Sequence, residues 1–131
     1  MASLEEDRKL FRIAKEKPTQ FDRALFRRLF YRLAKLVWLE DKMFMGGTGA
    51  ARKESTLLTP FARTIARRMI NEIRLVDEER GQWLLDEFDP DGMFTEKRFT
   101  GFMGHAATFL FGKGKVGVLL IKYRRFFESK K

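Results

Sequence analysis

Residues 21–37 read Phe-Asp-Arg-Ala-Leu-Phe-Arg-Arg-Leu-Phe-Tyr-Arg-Leu-Ala-Lys-Leu-Val, and they give the clearest indication of fold class in the chain. Apolar residues recur at intervals of three and four, which is the period of an amphipathic α-helix and not of a strand. On a helical wheel, one half carries the apolar residues Phe21, Leu25, Phe26, Leu29, Phe30, Leu33, Leu36 and Val37. The other half carries Arg23, Arg27, Arg28, Tyr31 and Lys35, with Arg32 at the border and no acidic residue between Arg23 and Lys35. The stretch therefore predicts a helix with one face in a core and the opposite face basic.

Helix-start and helix-stop residues predict the extent of the first two helices. The capping-box pattern Ser3-Leu4-Glu5-Glu6 begins a helix that runs to about Lys17 and is stopped by Pro18. Thr19 is the expected N-cap of the second helix, which continues to about Met45, where the Gly-rich residues 46–50 end it.

The same kinds of residue predict the remaining helices. Thr59-Pro60 begins a third helix that runs to about Glu79, since Pro is favoured at the first helical position. Gly81 is expected to break it before a short segment at residues 82–88, which the turn at residues 89–92 follows. Thr95 is the expected cap of a helix through Phe111, and a last helix is expected over residues 115–128, with a strand over 116–123 as the alternative. The sequence thus predicts a compact all-α bundle of about five helices that forms one domain over residues 1–131.

Composition argues against several classes of protein. The 131 residues include no Cys and one His, which disfavours Cys-thiolate catalysis, a structural zinc site and disulfides. The longest apolar run, residues 116–121, is far too short to span a bilayer. The acidic start Met-Ala-Ser-Leu-Glu-Glu does not have the character of a targeting signal, so a cytoplasmic location is expected.

Motifs that would carry chemistry are incomplete. Residues 46–53 contain the glycines of a phosphate-binding loop, but at the wrong spacing and with no apolar strand before them. Residues 89–92 resemble part of a calcium-binding loop, but Arg98 stands where the required Glu would be. Glu87, Asp89 and Asp91 have no evident partner group for acid–base catalysis. We therefore predict a protein that is not an enzyme, with no catalytic residue, no cofactor and no metal site.

Net charge is distributed unevenly along the chain. Lys and Arg number 27 against 18 Asp and Glu, for a net charge of +9. Residues 1–55 carry a net charge of +5, residues 56–92 carry −3 and residues 93–131 carry +7. Basic ends that flank an acidic block favour an anionic partner bound by part of the surface, and ordinary solvated charge is the alternative.

The third predicted helix repeats the pattern of the second. Arg63, Arg67 and Arg74 line one edge of its apolar face, so two helices each carry an arginine stripe without acidic partners. Arginine suits phosphate because its planar guanidinium can bind two oxygens at once, and adjacent stripes would form a groove that follows a phosphate backbone. Arg52 and Lys53 in the Gly-rich loop would act as a flexible clamp. The predicted nucleic-acid-binding residues are Arg23, Arg27, Arg28, Lys35, Arg52, Lys53, Arg63, Arg67 and Arg74.

These stripes favour sequence-independent binding of a single-stranded nucleic-acid backbone by a non-catalytic subunit of a ribonucleoprotein assembly. The expected partners are nucleic acid and other protein subunits, with copies of the chain itself among the candidates, and no membrane. A protein–protein adaptor or inhibitor that docks on an acidic surface is the alternative. A peripheral membrane protein is disfavoured because the predicted helices can bury their Phe residues in a core.

Two stretches of the sequence carry a resemblance to a known family. The first is Thr19-Gln20-Phe21 leading into Arg27-Arg28-Leu29-Phe30, and the second is Arg125-Phe126-Phe127-Glu128. They resemble, in turn, the arginine-bearing early helix and the start of the closing segment of the small helical subunits of CRISPR effector complexes, particularly those of type III. The resemblance implies an all-α cytoplasmic protein of antiviral defence that stacks as several copies and contacts the backbone of the guide or of the guide–target duplex through Lys and Arg.

Overall fold

The computed structural model describes residues 4–36, 58–90 and 94–112, and these residues form five α-helices. The helices are α1 (Leu4–Lys15), α2 (Arg23–Lys35), α3 (Pro60–Val76), α4 (Glu78–Phe88) and α5 (Glu96–Phe111). The prediction of an all-α bundle is confirmed. The cap at Ser3, the continuation of the second helix to Met45, the Gly-rich loop and the last predicted helix lie outside the described residues.

Helix α1 carries charges that suit both of its ends. Glu5, Glu6 and Asp7 lie in its first turn, and Arg12 and Lys15 lie in its last turn. Acidic residues near a helix N-terminus and basic residues near its C-terminus complement the helix dipole. The helix ends at Lys15, shortly before the Pro predicted to stop it.

Helix α2 begins later than the sequence predicts. Asp22, and not Thr19, is its N-cap, because the Asp22 carboxylate accepts a hydrogen bond from the backbone N–H of Leu25 at 3.0 Å. Asp is at least as favourable as Thr at this position, so the better acceptor at the end of the connecting segment fixes the start of the helix.

The junction between α3 and α4 lies at Asp77 and not at Gly81. Asp77 has an extended backbone that ends α3, and its carboxylate caps α4 by accepting from the N–H of Arg80 at 3.1 Å. Gly81 lies inside α4, where a Cβ atom would fall 2.9 Å from the Cα of Arg74. The expected helix break at Gly81 is therefore wrong, because this glycine lets two neighbouring helices approach closely and does not end either of them.

Two predicted helix starts are confirmed. Thr59 accepts a hydrogen bond from the backbone N–H three residues on at 3.3 Å, with Pro60 at the first helical position of α3. Thr95 caps α5 in the same way, accepting from the N–H of Arg98 at 3.3 Å. Helix α5 ends at Gly112, whose φ of +91° is in a region that side chains with a Cβ rarely adopt.

Helix α3 is the centre of the bundle. It packs against α1, α2 and α4, and α5 packs against both α2 and α4. The largest fully buried side chains are Phe26, Leu29, Phe30, Leu33, Ile65, Met69, Ile70, Ile73, Leu84, Phe94 and Phe102. The Phe-rich face of α5 is therefore part of the same core. Across the described ranges, no helix has the length and apolar character needed to cross a membrane.

Candidate functional site

Helix α2 presents its basic face to solvent. Arg23, Arg27 and Arg28 are exposed and Lys35 is half-buried, whereas the opposite half of α2 is buried, at Leu25, Phe26, Leu29, Phe30 and Leu33. Within residues 4–36, 58–90 and 94–112, Arg27 and Arg28 make no ion pair and donate no hydrogen bond from their side chains. No described residue therefore competes with an external anion for their guanidinium N–H groups.

Arg23 differs from its neighbours on α2 because it also contacts another helix. Its Nη2 donates a hydrogen bond to the backbone carbonyl oxygen of Leu110 at 2.7 Å. Leu110 lies in the last turn of α5, where carbonyl oxygens have no partner within the helix. Arg23 therefore joins α2 to the C-terminus of α5, and one of its donors is already used within the protein.

The α3 stripe has an acidic partner, which corrects the expectation that both stripes lack one. Arg63 Nε donates to Asp89 Oδ2 at 3.2 Å, and Arg67 Nη1 lies 3.6 Å from the same oxygen. The side chain of Asp89 is fully buried, while those of Arg63 and Arg67 are 35% and 45% exposed. Packing of α4 against α3 supplies this acid, so the sequence of α3 alone does not reveal it.

The two arginine stripes contact different helices. Arg23 contacts the end of α5, whereas Arg63 and Arg67 contact the residue that follows α4. The structure therefore brings Arg63 and Arg67 together on Asp89, whereas Arg23 belongs to a separate contact with α5.

Arg74 lies in a separate groove between the end of α1 and the junction of α3 with α4. The groove has a volume of about 670 Å³ and contains the basic residues Lys15, Lys17 and Arg74 together with the acidic residues Glu16 and Glu78. Charges of both signs face it, so it is less uniformly basic than the exposed face of α2. The predicted clamp residues Arg52 and Lys53 lie outside the described residues.

Arg68 is buried and serves the fold. Its Nη1 donates to the backbone carbonyl oxygens of Ile13 and Glu16 at 2.5 and 2.7 Å, and its Nε and Nη2 donate to Glu72 Oε1 at 3.1 and 3.0 Å. Glu72 Oε2 accepts from the backbone N–H of Asp22 at 3.3 Å. This pair on α3 therefore holds the end of α1 and the start of α2 in place.

Arg32 also forms an ion pair within the protein, with Asp7. Its Nε and Nη2 donate to the two carboxylate oxygens of Asp7 at 2.8 and 2.7 Å, which is a bidentate arrangement. The side chain of Arg32 is 7% exposed and that of Asp7 is 22% exposed. The arginine at the border of the α2 wheel thus links α2 to α1 and is not part of the free basic face.

An exposed aromatic side chain lies on α4, where sequence reasoning named no site. Trp83 is 47% exposed, and its ring lies 5.0 Å from the ring of His105 on α5. Burial lowers the pKa of His105 below its ordinary value of 6.5; the nearby Arg80 lowers it further, and Glu87 partly opposes both. Tyr31, which the sequence places on the basic face, is half-buried with its ring 5.8 Å from that of Phe30.

Comparison of the chain with protein-family models, with curated proteins and with solved structures gave no match. In the part of the chain that the structure describes, no three His, Asp or Glu side chains lie together in a way that would hold a metal ion. The described part of the candidate site consists of basic side chains and of Asp89, which pairs with two of them. Its members fall into two groups: the exposed face of α2, and the pair Arg63–Arg67 with Asp89.

Proposed function

We propose that this protein binds the sugar–phosphate backbone of nucleic acid, without reading its sequence, as a non-catalytic subunit of a ribonucleoprotein assembly. The observation that carries the proposal is the exposed pair Arg27 and Arg28, which has no acidic partner among the described residues. Arg27 also lies four residues after Arg23 on α2, where like charges repel one another, and a polyanion relieves that repulsion.

The chemistry of the side chains favours phosphate over other anions. Each guanidinium has five N–H donors in a planar arrangement that matches two oxygens of one phosphate. Arg23 and Lys35 extend the same face of α2 to either side of Arg27 and Arg28. Arg63 and Arg67 form a second contact region, and Arg52, Lys53 and Arg74 remain predicted contacts.

The assembly that we propose is of the CRISPR effector type, on the basis of the sequence resemblance. Of the two stretches that carry it, residues 19–21 lie immediately before the cap of α2, and residues 27–30 lie within α2. The closing stretch at residues 125–128 lies outside the described residues. In such an assembly, the basic face of α2 contacts backbone, and sequence is read by base pairing within the nucleic acid itself.

The experiment is a salt titration of binding. We would measure the affinity of the wild type and of Arg27→Gln/Arg28→Gln for polyuridylate and for polydeoxythymidylate over a series of potassium chloride concentrations. We expect the variant to bind more weakly, with the slope of log affinity against log salt reduced in magnitude by about 1.4, because each lost contact with a phosphate of a single strand removes about 0.7. The comparison of the two polymers reports whether RNA or DNA is preferred.

A matched control separates a local contact from a change in net charge. Arg8→Gln lowers the net charge by one, as Arg27→Gln does, at an exposed position on α1 that is not among the predicted contacts. We expect a clearly smaller loss for Arg8→Gln than for Arg27→Gln. Equal losses, or an unchanged slope in the double variant, would refute the assignment to α2. A wild type that binds neither polymer would refute the proposed function and favour the protein–protein adaptor.

A further inference from the structure

Asp89 is the acidic partner of two arginines in the α3 stripe, Arg63 and Arg67. It directly follows α4, and its backbone N–H donates to the carbonyl oxygen of Leu85 at 3.0 Å, which fixes its position at the end of the helix. Its side chain is fully buried, yet both of its ionic partners, Arg63 and Arg67, reach solvent. The carboxylate therefore lies beneath two guanidiniums that are partly exposed.

The charges and donors of this cluster do not balance among the described residues. Two positive guanidiniums share one negative carboxylate, so the cluster keeps a net charge of +1. Arg63 uses its Nε–H on Asp89, and Arg67 approaches the same oxygen through Nη1 at 3.6 Å. With five N–H donors on each guanidinium, most of the donors of this pair have no acceptor within the described residues.

The spacing of the two arginines explains why a shared acid is useful. Arg63 and Arg67 are four residues apart on α3, where like charges repel and long side chains move freely. A buried carboxylate between them offsets the repulsion and restricts both side chains before any ligand arrives, Arg63 by a hydrogen bond and Arg67 by a longer ion pair. Side chains fixed in advance lose less conformational entropy on binding.

We propose that Asp89 is a positioning residue, which holds Arg63 and Arg67 as a clamp for one phosphate group of the bound strand. The inference rests on the proposed function, because it deepens the description of how the backbone is held. Net charge alone would not suggest this role, since the inference is that an acidic residue favours the binding of an anion.

The sign of one substitution distinguishes the clamp from simple electrostatics. Asp89→Asn keeps the shape of the side chain and raises the net charge by one. Electrostatic attraction alone predicts tighter binding of polyuridylate. The clamp predicts weaker binding, by roughly 2- to 10-fold, because the two arginines must then be ordered by the ligand. Tighter or unchanged binding by a folded Asp89→Asn protein would overturn the proposal.

A double-mutant cycle shows whether Asp89 acts through the arginines. In the background Arg63→Gln/Arg67→Gln, we expect Asp89→Asn to cause no further loss of affinity, because the side chains that it positions are gone. A merely structural role of Asp89 would weaken binding to the same extent in both backgrounds, and that result would also overturn the proposal. Circular dichroism establishes that each variant is folded.

If Asp89→Asn does not fold, the affinities of the single and double variants of Arg63 and Arg67 test the proposal instead. A clamp needs both members, so the losses caused by Arg63→Gln and Arg67→Gln should be less than additive, whereas independent surface charges would give additive losses. Additive losses would overturn the clamp. Failure of the inference differs from failure of the proposed function, since in the first case the wild type still binds polyuridylate and Arg27→Gln/Arg28→Gln still weakens it.

Discussion

Arg28 on α2 and Arg68 on α3 are both arginines on amphipathic helices, but one is exposed and the other is buried and hydrogen-bonded. Arg68 is buried, and its donors are used by Glu72 and by two carbonyl oxygens at the end of α1. Arg28 is exposed and makes no ion pair among the described residues. The difference comes from the acceptors that other helices bring to each arginine, and not from the helix on which it stands.

Between these extremes lie Arg63 and Arg67, which share one buried acid and still reach solvent. The arginines thus form a series according to how many partners their guanidiniums have among the described residues. Arg68 has several, Arg63 and Arg67 share one, and Arg28 has none. We expect stability to depend most on the first kind and nucleic-acid binding to depend most on the last. Substitutions at Arg68 and at Arg27 with Arg28 test that contrast directly, and substitutions at Gly81 and His105 compare it with the effects of helix packing and of protonation.

The largest expected effect is on the buried arginine. Arg68→Met keeps an unbranched side chain but leaves the carboxylate of Glu72 buried without its ionic partner. We expect the free energy of unfolding in urea to fall by about 3–5 kcal/mol, the range for breaking a buried ion pair from one side. Arg68→Met/Glu72→Met should be less destabilised than Arg68→Met alone. A double variant that is worse than the single one would contradict this account of the pair.

The next effect concerns the close contact of α3 with α4. In Gly81→Ala, the new Cβ would lie 2.0 Å from the Cγ and 2.9 Å from the Cα of Arg74, so the helices must separate. We expect a loss of about 1–3 kcal/mol in urea denaturation. Gly104→Ala on α5 is the control, since its Cβ would meet nothing within 4 Å, and it should be stabilising by up to about 1 kcal/mol. Equal effects at the two glycines would contradict the packing argument.

A smaller effect concerns His105, a basic group that is partly buried. Because its pKa is lowered in the folded state, the unfolded chain binds more protons, and the free energy of unfolding falls as the pH drops below the ordinary value of 6.5. Between about pH 7.5 and about pH 5.5, His105→Gln should therefore lose less stability than the wild type. Urea denaturation at both pH values measures the difference. An equal or greater loss in the variant would show that His105 does not contribute.

The smallest effect on stability is expected for the exposed arginines of α2. Arg27→Gln/Arg28→Gln removes two exposed side chains that have no partner among the described residues, so the free energy of unfolding should stay within about 0.5 kcal/mol of the wild type. Urea denaturation of both proteins is the measurement. A substantial loss of stability would mean that these arginines have internal partners after all.

Much of the fold could be predicted from local pattern. The Thr59 and Thr95 caps and the apolar face of α2 follow from spacing and from hydrogen-bonding side chains a few residues away. The break expected at Gly81 was wrong because the reason for that glycine lies on another helix. The candidate site was less predictable for the same reason, since Asp89 reaches Arg63 only when α4 packs against α3.

The sequence is sufficient to fix that the chain forms amphipathic helices and that α2 has a basic face, because both follow from the helical period and from residue type. It is not sufficient to fix which arginines remain available for a ligand. That depends on whether an acceptor from another part of the chain comes within hydrogen-bonding distance. Arg68 has two such acceptors in the Glu72 carboxylate and the carbonyl oxygen of Glu16, whereas Arg27 has none among the described residues. Ion pairs act over a few ångströms in space, whereas sequence patterns report neighbours along one helix.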